Sequence, residues 1–289
     1  MTAAARTTII TVSYNSAAEL PEMLASIPAG TPTIIVDNAS ADRAALQNLC
    51  NRFSVQLLLS PENVGFGRGC NLGAAVATTE FLLFLNPDAT LMPDTLALLE
   101  DAADRYPTAS AMNPRITNAD GSAFFKRRSA LMPNSETMPR GWPAGDQEVT
   151  VLVGAAFFVR RTDFDAVGGF DPAIFLFHED DDLARCLRRD RGPLMFIHGA
   201  VVRHIGGRTT DDSPPSAGFK AWHMARSRVY AARKHQQPLV FTKALLFALR
   251  NLLAPDMPFS ARRRAKNWGY FKGVLSTLRD GGAGKGSLS

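Results

Sequence analysis

Residues 79–90, Thr-Glu-Phe-Leu-Leu-Phe-Leu-Asn-Pro-Asp-Ala-Thr, constrain this chain more than any other stretch. Phe81 to Leu85 is an unbroken apolar run. It is far shorter than the roughly 20 residues of a membrane-crossing helix. Without polar alternation it reads as a strand buried on both faces. Such strands belong to parallel sheets covered by helices. Pro87 has no N–H for a strand ladder, so the sheet ends at Asn86-Pro87-Asp88. Asp88 then falls just past the carboxyl end of a central strand, the edge at which open α/β sheets take their ligands. A carboxylate there, with no cation beside it in sequence, invites a metal ion.

The segments before this run repeat one pattern. Thr7 to Val12, Thr33 to Asp37 and Val55 to Leu59 read as strands, and residues 17–27, 41–52 and a stretch ending near Ala77 read as helices. Ser16 is placed to cap the first helix, and residues 93–105 form a fourth. Four strands alternating with four helices predict a parallel sheet with right-handed crossovers. Residues 106–150 hold several Pro and Gly and read as loop with an edge strand or two. Val151 to Arg161 reads as a strand-pair region bent at Gly154, Gly168 to Asp171 as a turn, and Glu179 to Arg189 as a helix with acids first and arginines last. Leu194–Ile197 and Ala200–Val202 read as short strands leading to His204. The expected division is a catalytic domain over 1–218, with halves of about 1–105 and 106–218, then a helical extension over 219–289 ending in a disordered tail from Gly281.

Charge separates the same two parts. Residues 219–289 carry 14 Lys and Arg against 2 acids, a net +12, which leaves −7 for residues 1–218. A basic extension on an acidic body predicts an anionic surface as its partner. Leu239 to Leu253 is amphipathic, with Lys243 and Arg250 set against leucines, and Arg262-Arg263-Arg264-Ala265-Lys266 precedes Trp268, Tyr270 and Phe271. Cations beside apolar and aromatic residues at helical spacing suit an interfacial membrane helix, and equally a helical cap with a solvated face. No recognition motif for nucleic acid accompanies the charge. Met1 to Thr8 lacks the apolar core of a signal peptide, and no apolar stretch is long enough for a membrane span. Three cysteines without metal-ligand spacing read as buried thiols in a reducing compartment.

Several polar groups fall at strand ends or in loops that can converge. Asp37 ends the second strand, where a carboxylate can accept from a pyrimidine N3–H or a ribose hydroxyl, or cap a helix. The loop from Asn63 to Gly73 has glycines at 65, 67, 69 and 73, which let backbone N–H groups approach phosphate or sugar, and Arg68 within it can reach a diphosphate. Glu179-Asp180-Asp181-Asp182 is the densest acidic cluster. Helix-terminus charge needs fewer acids than this, and crowding can leave Glu179 or Asp180 as a base for an acceptor hydroxyl. His204-Ile205-Gly206-Gly207 places a histidine in open backbone, and with Asp88 it would leave metal positions free for diphosphate oxygens and water.

Taken in order, Val12-Ser13-Tyr14-Asn15, Val36-Asp37-Asn38-Ala39-Ser40, Asn63-Val64-Gly65-Phe66-Gly67, Leu85-Asn86-Pro87-Asp88, Gly154-Ala155, Gly168-Gly169-Phe170-Asp171, Glu179 to Leu183 and His204 to Gly207 resemble the family-2 glycosyltransferases of GT-A fold, in their rhamnosyltransferase-like branch. The resemblance covers roughly residues 7–208. It implies an α/β fold with a mostly parallel, helix-flanked sheet. It implies a nucleoside-diphosphate donor held by Tyr14, Asp37, Asn63, Gly65, Arg68, Asn71 and Asn86, with dTDP-rhamnose favoured and UDP-sugars open. It also implies Mg2+ or Mn2+ on Asp88 and His204, and Asp180 as base, beside Glu179, in a single inverting displacement. Asn86 stands where many members carry Asp, which weakens metal binding. The implied acceptor is a glycan or polyprenyl-diphosphate-linked hydroxyl, with the chain in the cytoplasm or peripheral at the inner membrane. A nucleotidyltransferase and a non-catalytic nucleotide-sugar-binding scaffold are the competing expectations.

Overall fold

The computed structural model describes residues 4–206, 213–254 and 259–278. Its contacts divide the chain into two units, residues 1–172 with 180–209, and residues 173–179 with 210–289.

The first unit opens with β1 (Thr7–Ser13), α1 (Leu20–Ala25), β2 (Thr33–Asp37), α2 (Arg43–Phe53), β3 (Gln56–Leu59), α3 (Phe66–Val76) and β4 (Phe81–Leu85). These strands lie in the order β3-β2-β1-β4, all parallel. Every residue of β1, β2 and β4 is buried, as their continuous apolar runs require. Alternate residues serve opposite faces. Ile9, Ile35, Phe81, Leu83 and Leu85 pack with Met23, Leu46 and Leu99 on one side. Ile10, Val12, Val36, Leu82 and Phe84 pack with Cys70, Phe164 and Leu187 on the other.

The chain continues through β5 (Ala89–Leu91), α4 (Thr95–Arg105), β6 (Ala111–Thr117), β7 (Gln147–Val149), β8 (Ala156–Arg160), α5 (Arg161–Ala166), α6 (Glu179–Asp190) and β9 (Leu194–His204). The sheet runs on from β4 as β8-β6-β9-β5, with β7 also on β9. Only β6 and β9 are parallel here, so the parallel character expected of the first four strands is concentrated in that half of the sheet.

Local readings that miss do so for visible reasons. Ser16 caps no helix, because its hydroxyl pairs with Ser13 Oγ at 3.0 Å and α1 starts only at Leu20. β6 sits inside the sheet despite Pro114, since the register shifts between Pro114 and Arg115 and removes the demand for that N–H. That shift skips His198, Gly199 and Ala200 of β9, so two apparent short strands are one irregular strand. Val151 to Val153 joins no ladder. The Asn113 amide takes the place of a neighbouring strand, accepting from Val153 N at 2.5 Å and donating to the carbonyls of Val153 and Ala156 at 3.1 and 2.6 Å.

The glycines at 67, 69 and 73 have packing roles in α3. They lie within the helix and let it sit down on the sheet. A Cβ on Gly73 would fall 2.5 Å from Ile10 Cγ2, and one on Gly69 would fall 2.9 Å from Val12 Cγ1.

The second unit holds α7 (Pro214–Lys234), α8 (Val240–Leu252) and α9 (Ala261–Ser276). Ser213 caps α7, which starts ahead of residue 219. Ala221, Ala225, Val229, Ala244, Ala248, Tyr270 and Val274 form its core. Small residues allow close helix contact, since a Cβ on Gly269 would fall 2.2 Å from the Gly218 carbonyl. Gly207, the breaks at Pro255 and Pro258, and the tail from Gly281 lie outside the described residues.

Candidate active site

The turn after β4 builds the first half of the site. Three residues of β5 pair antiparallel with the end of β9, Ala89 opposite His204. Ile205 N donates to the Asp88 carbonyl at 3.1 Å, extending the pairing. This short strand, unseen in the sequence, brings together two residues 116 positions apart. With its proton on Nε2, His204 donates to Asp88 Oδ1 across 3.1 Å, and Asn86 Nδ2 lies 3.5 Å from the same nitrogen. Asp88 is buried, at 6% exposure. His204 Nδ1 is buried without a hydrogen-bond partner among the described residues. A carboxylate oxygen, an imidazole nitrogen and an orphaned ring nitrogen fit a divalent ion better than a closed structural pair, which would leave no buried atom unsatisfied. Asp88 also lines an open cleft with Glu19, Glu22, Pro87, Thr90 and Ile205.

Asp180, near the start of α6, builds the second half. Its Oδ2 accepts from Gly154 N at 3.2 Å and from Lys126 Nζ at 2.7 Å, and its Oδ1 accepts from Asp181 N at 2.8 Å. Lys126 Nζ also lies 2.8 Å from Asp181 Oδ1. Burial works against the Lys126 ammonium, but the carboxylates of Asp180 and Asp181 outweigh it and hold its pKa above the ordinary lysine value. Glu179, the first residue of α6, is buried.

One stretch of backbone joins the two halves. The N–H of Gly154 serves Asp180, and the carbonyl of Ala155, the next residue, accepts from Asn86 N at 3.0 Å. A Cβ on Gly154 would press on Asp180 Cβ at 3.2 Å.

The other expected donor-site residues have structural engagements of their own. Asp37 is fully buried; it accepts from Ser40 N at 2.9 Å and from Arg43 Nε at 3.1 Å. Asn63 accepts from Asn38 Nδ2 at 2.8 Å and from Gly65 N at 3.0 Å, and Gly65 takes φ +87° to start α3. Asn71 holds both backbone groups of Phe170, donating to its carbonyl at 2.8 Å and accepting from its N–H at 2.9 Å. Tyr14 and Arg68 are exposed. Thus Asn86, Asp88, His204 and Asp180 are linked, while Asp37, Asn63 and Asn71 secure the turns at the carboxyl edge. Sequence reading missed Lys126 and Phe124. The available signal was Lys126-Arg127-Arg128 within an otherwise Pro-rich stretch, but nothing local tied it to an acid 54 residues away.

Parallel strands ending in Asp88, with Asp180 held through Gly154 at their carboxyl edge, define a GT-A sheet with its candidate site where open α/β folds take ligands. The profile of Glycosyl transferase family 2 matches residues 8–168, and the chain belongs to that family. It is 28% identical to N-acetylglucosaminyl-diphospho-decaprenol L-rhamnosyltransferase of Mycobacterium tuberculosis, over 89% of this chain and 95% of that protein. It is 25% identical to rhamnosyltransferase WbbL of Escherichia coli K12, over 70% and 82%. Among solved structures it resembles GalNAc-T7 holding UDP, GalNAc and Mn2+, with TM-score 0.63 and 14% identity. The match takes in 99% of this chain and spans 58% of that one. A mannosyltransferase from Pyrobaculum calidifontis in complex with GDP-Man and Mn2+ matches with TM-score 0.57 and 18% identity, over 99% and 77%. Family membership makes the chain a glycosyltransferase and disfavours nucleotidyl transfer and a scaffold role.

Proposed function

We propose that the chain transfers rhamnose, or a related hexose, from a nucleoside diphosphate to a hydroxyl of a polyprenyl-diphosphate-linked glycan, with inversion. The observation that carries this reading is the single backbone stretch that ties Asn86, beside Asp88 and His204, to Asp180. Donor and acceptor chemistry must meet at one anomeric carbon, and Gly154-Ala155 fixes the two carboxylate sites against a common support. The rhamnosyltransferases among its relatives favour rhamnose, and the resemblance at Asn86-Pro87-Asp88 puts dTDP ahead of UDP as carrier.

Asp88 and His204 would hold Mg2+ or Mn2+, with Asn86 alongside. When bound, the ion supplies positive charge against the diphosphate. Asp37 and Tyr14 would face the nucleoside, and Asn63, Gly65, Arg68 and Asn71 the base and diphosphate. Asp180, with Glu179 beside it in sequence, takes the proton of the acceptor hydroxyl. That oxygen bonds to the anomeric carbon as the bond to the diphosphate oxygen breaks, and the nucleoside diphosphate leaves with the electron pair.

A lipid-linked acceptor would bring the chain to the cytoplasmic face of the inner membrane. No helix among the described residues is long and apolar enough to cross a membrane. Helices α7, α8 and α9 carry twelve Lys and Arg and no acid. On α8 Leu246 and Leu249, and at its two caps Leu239 and Leu253, are exposed, Leu253 at 84% and Leu246 at 62%. Exposed leucines flanked by cations suit an anionic lipid surface.

The test is thermal-shift titration with dTDP, UDP, GDP and ADP, each with and without Mn2+ or Mg2+. A nucleotide at 100 times its dissociation constant adds about 2.7 kcal/mol of stability. Stabilisation by dTDP that requires the metal is expected. No shift with any nucleotide under any metal condition would remove the donor site.

A further inference from the structure

Residues 123–126 form a short arm laid against the end of β6. Ala123 bridges Thr117, and Phe124 N donates to the Ile116 carbonyl at 3.0 Å. In extended backbone, alternate side chains face opposite ways. Phe125 turns inward and meets the Phe196 ring edge-on at 5.8 Å. Phe124 and Lys126 therefore share the other face. The Phe124 ring lies 5.3 Å from the His204 ring, and Lys126 Nζ reaches Asp180 and Asp181. A single arm thus touches both halves of the site.

A base must offer its acceptor a lone pair, yet Lys126 occupies Asp180 Oδ2 together with Gly154 N. The second carboxylate resolves this. Lys126 is shared almost evenly, 2.7 Å from Asp180 and 2.8 Å from Asp181. When Asp180 becomes neutral by taking a proton, the ammonium still has a charged partner and need not move into an unpaired buried position, which would be costly.

We infer that Lys126 is a positioning residue of the transfer reaction: it aims the Asp180 carboxylate, and Asp181 retains the ammonium while Asp180 carries the acceptor's proton. This rests on Asp180 being the base. Among the described residues, Lys126 from the arm is the charged group paired with that carboxylate, and the N–H groups of Gly154 and Asp181 are its neutral donors. Lys126 is not assigned to the donor, so its loss acts on turnover rather than on nucleotide affinity.

The experiment is a cycle of Lys126→Met, Asp180→Asn and the double variant in the full-length protein, with Lys126→Arg alongside. Readouts are kcat, donor KM, the dTDP-metal thermal shift and the melting temperature without ligand. Lys126→Met is expected to lower kcat about 10- to 100-fold with donor KM within about twofold. Lys126→Arg should recover most of that loss, and adding Lys126→Met to Asp180→Asn should cost nothing further. The inference is overturned if Lys126→Met leaves kcat within about twofold of the parent. It is equally overturned if the loss appears in donor KM and the nucleotide thermal shift instead, or if the two losses multiply. If Lys126→Met does not fold, Lys126→Arg carries the test: arginine must act through Asp180 and show no loss in its absence. Full activity in Asp180→Asn would remove the base assignment itself, an outcome separate from a silent Lys126→Met beside a dead Asp180→Asn.

Discussion

The two units put charge to opposite uses. In the first, carboxylates are buried or half-buried and paired: Asp37 with Arg43, Asp88 with His204, and Asp180 and Asp181 with Lys126. In the second, three helices carry cations without a single acid, and leucines stand exposed between them. Buried pairs fix geometry, at a desolvation cost that only good hydrogen bonding offsets. An unbalanced exposed surface fixes no geometry within the chain but attracts anything anionic, over about 8 Å at physiological salt. On the proposed function the difference would separate chemistry from delivery, and each can be removed alone.

The largest effect belongs to the first unit. Asp180→Asn should lower kcat about 10²- to 10⁴-fold while vesicle binding stays at the parental level. Measuring both on one preparation breaks the comparison if they fall together. The reverse experiment replaces Leu246 and Leu253 by Glu. Each leucine contributes about 1.5–3 kcal/mol when fully buried, so co-flotation with anionic vesicles should drop at least tenfold. Transfer to a short soluble acceptor should be unchanged, and neutral vesicles or high salt should mimic the variant.

A comparable loss, confined to the donor, is expected from His204→Ala. The metal-dependent thermal shift of about 2.7 kcal/mol at 100-fold saturation should vanish in calorimetry. Gly73→Ala sharpens the view of α3 as a packing helix. With Ile10 Cγ2 only 2.5 Å away, the methyl should cost about 1–3 kcal/mol of stability in denaturant melts. The smallest effect is a pH response in the second unit. Burial, with a lesser contribution from Arg226, pushes His223 down to about 4 from an ordinary 6.5. The unfolded chain then binds this proton before the folded one does. Stability is therefore complete above about 6.5 and falls as the pH drops towards 4. His223→Gln should flatten that part of a melting-temperature profile.

The parallel half of the sheet was legible in the sequence because its signals are local. Five consecutive apolar residues stopped by Pro87, and β-branched runs ending at Ser13 and Asp37, leave little choice of structure. The other half is held by long-range substitutions that no window contains. The Asn113 side chain serves as a strand for Val153, and a register shift at Pro114 absorbs three residues of β9. The same holds for the site. Asp88, Asp180 and His204 are candidates from motif and position, but the three-residue strand that joins Asp88 to His204 and the lysine that meets Asp180 become visible only in the folded chain. The glycines after Asn63 are a case that local reading leaves open. Their spacing suits a phosphate loop and a close-packed helix equally, and only the folded chain shows the β1 side chains that press on Gly69 and Gly73.

The Gly154-Ala155 stretch has a further consequence, a mechanical one. A hinge between donor and acceptor sides would let each adjust to its own ligand. Here Asn86 and Asp180, the proposed donor and acceptor sides, are hydrogen-bonded to neighbouring peptide units and would share one reference point. A donor that settles badly against Asn86 would misalign Asp180 before any acceptor arrives. Discrimination among donors would then register as lost turnover, even for sugars that bind well.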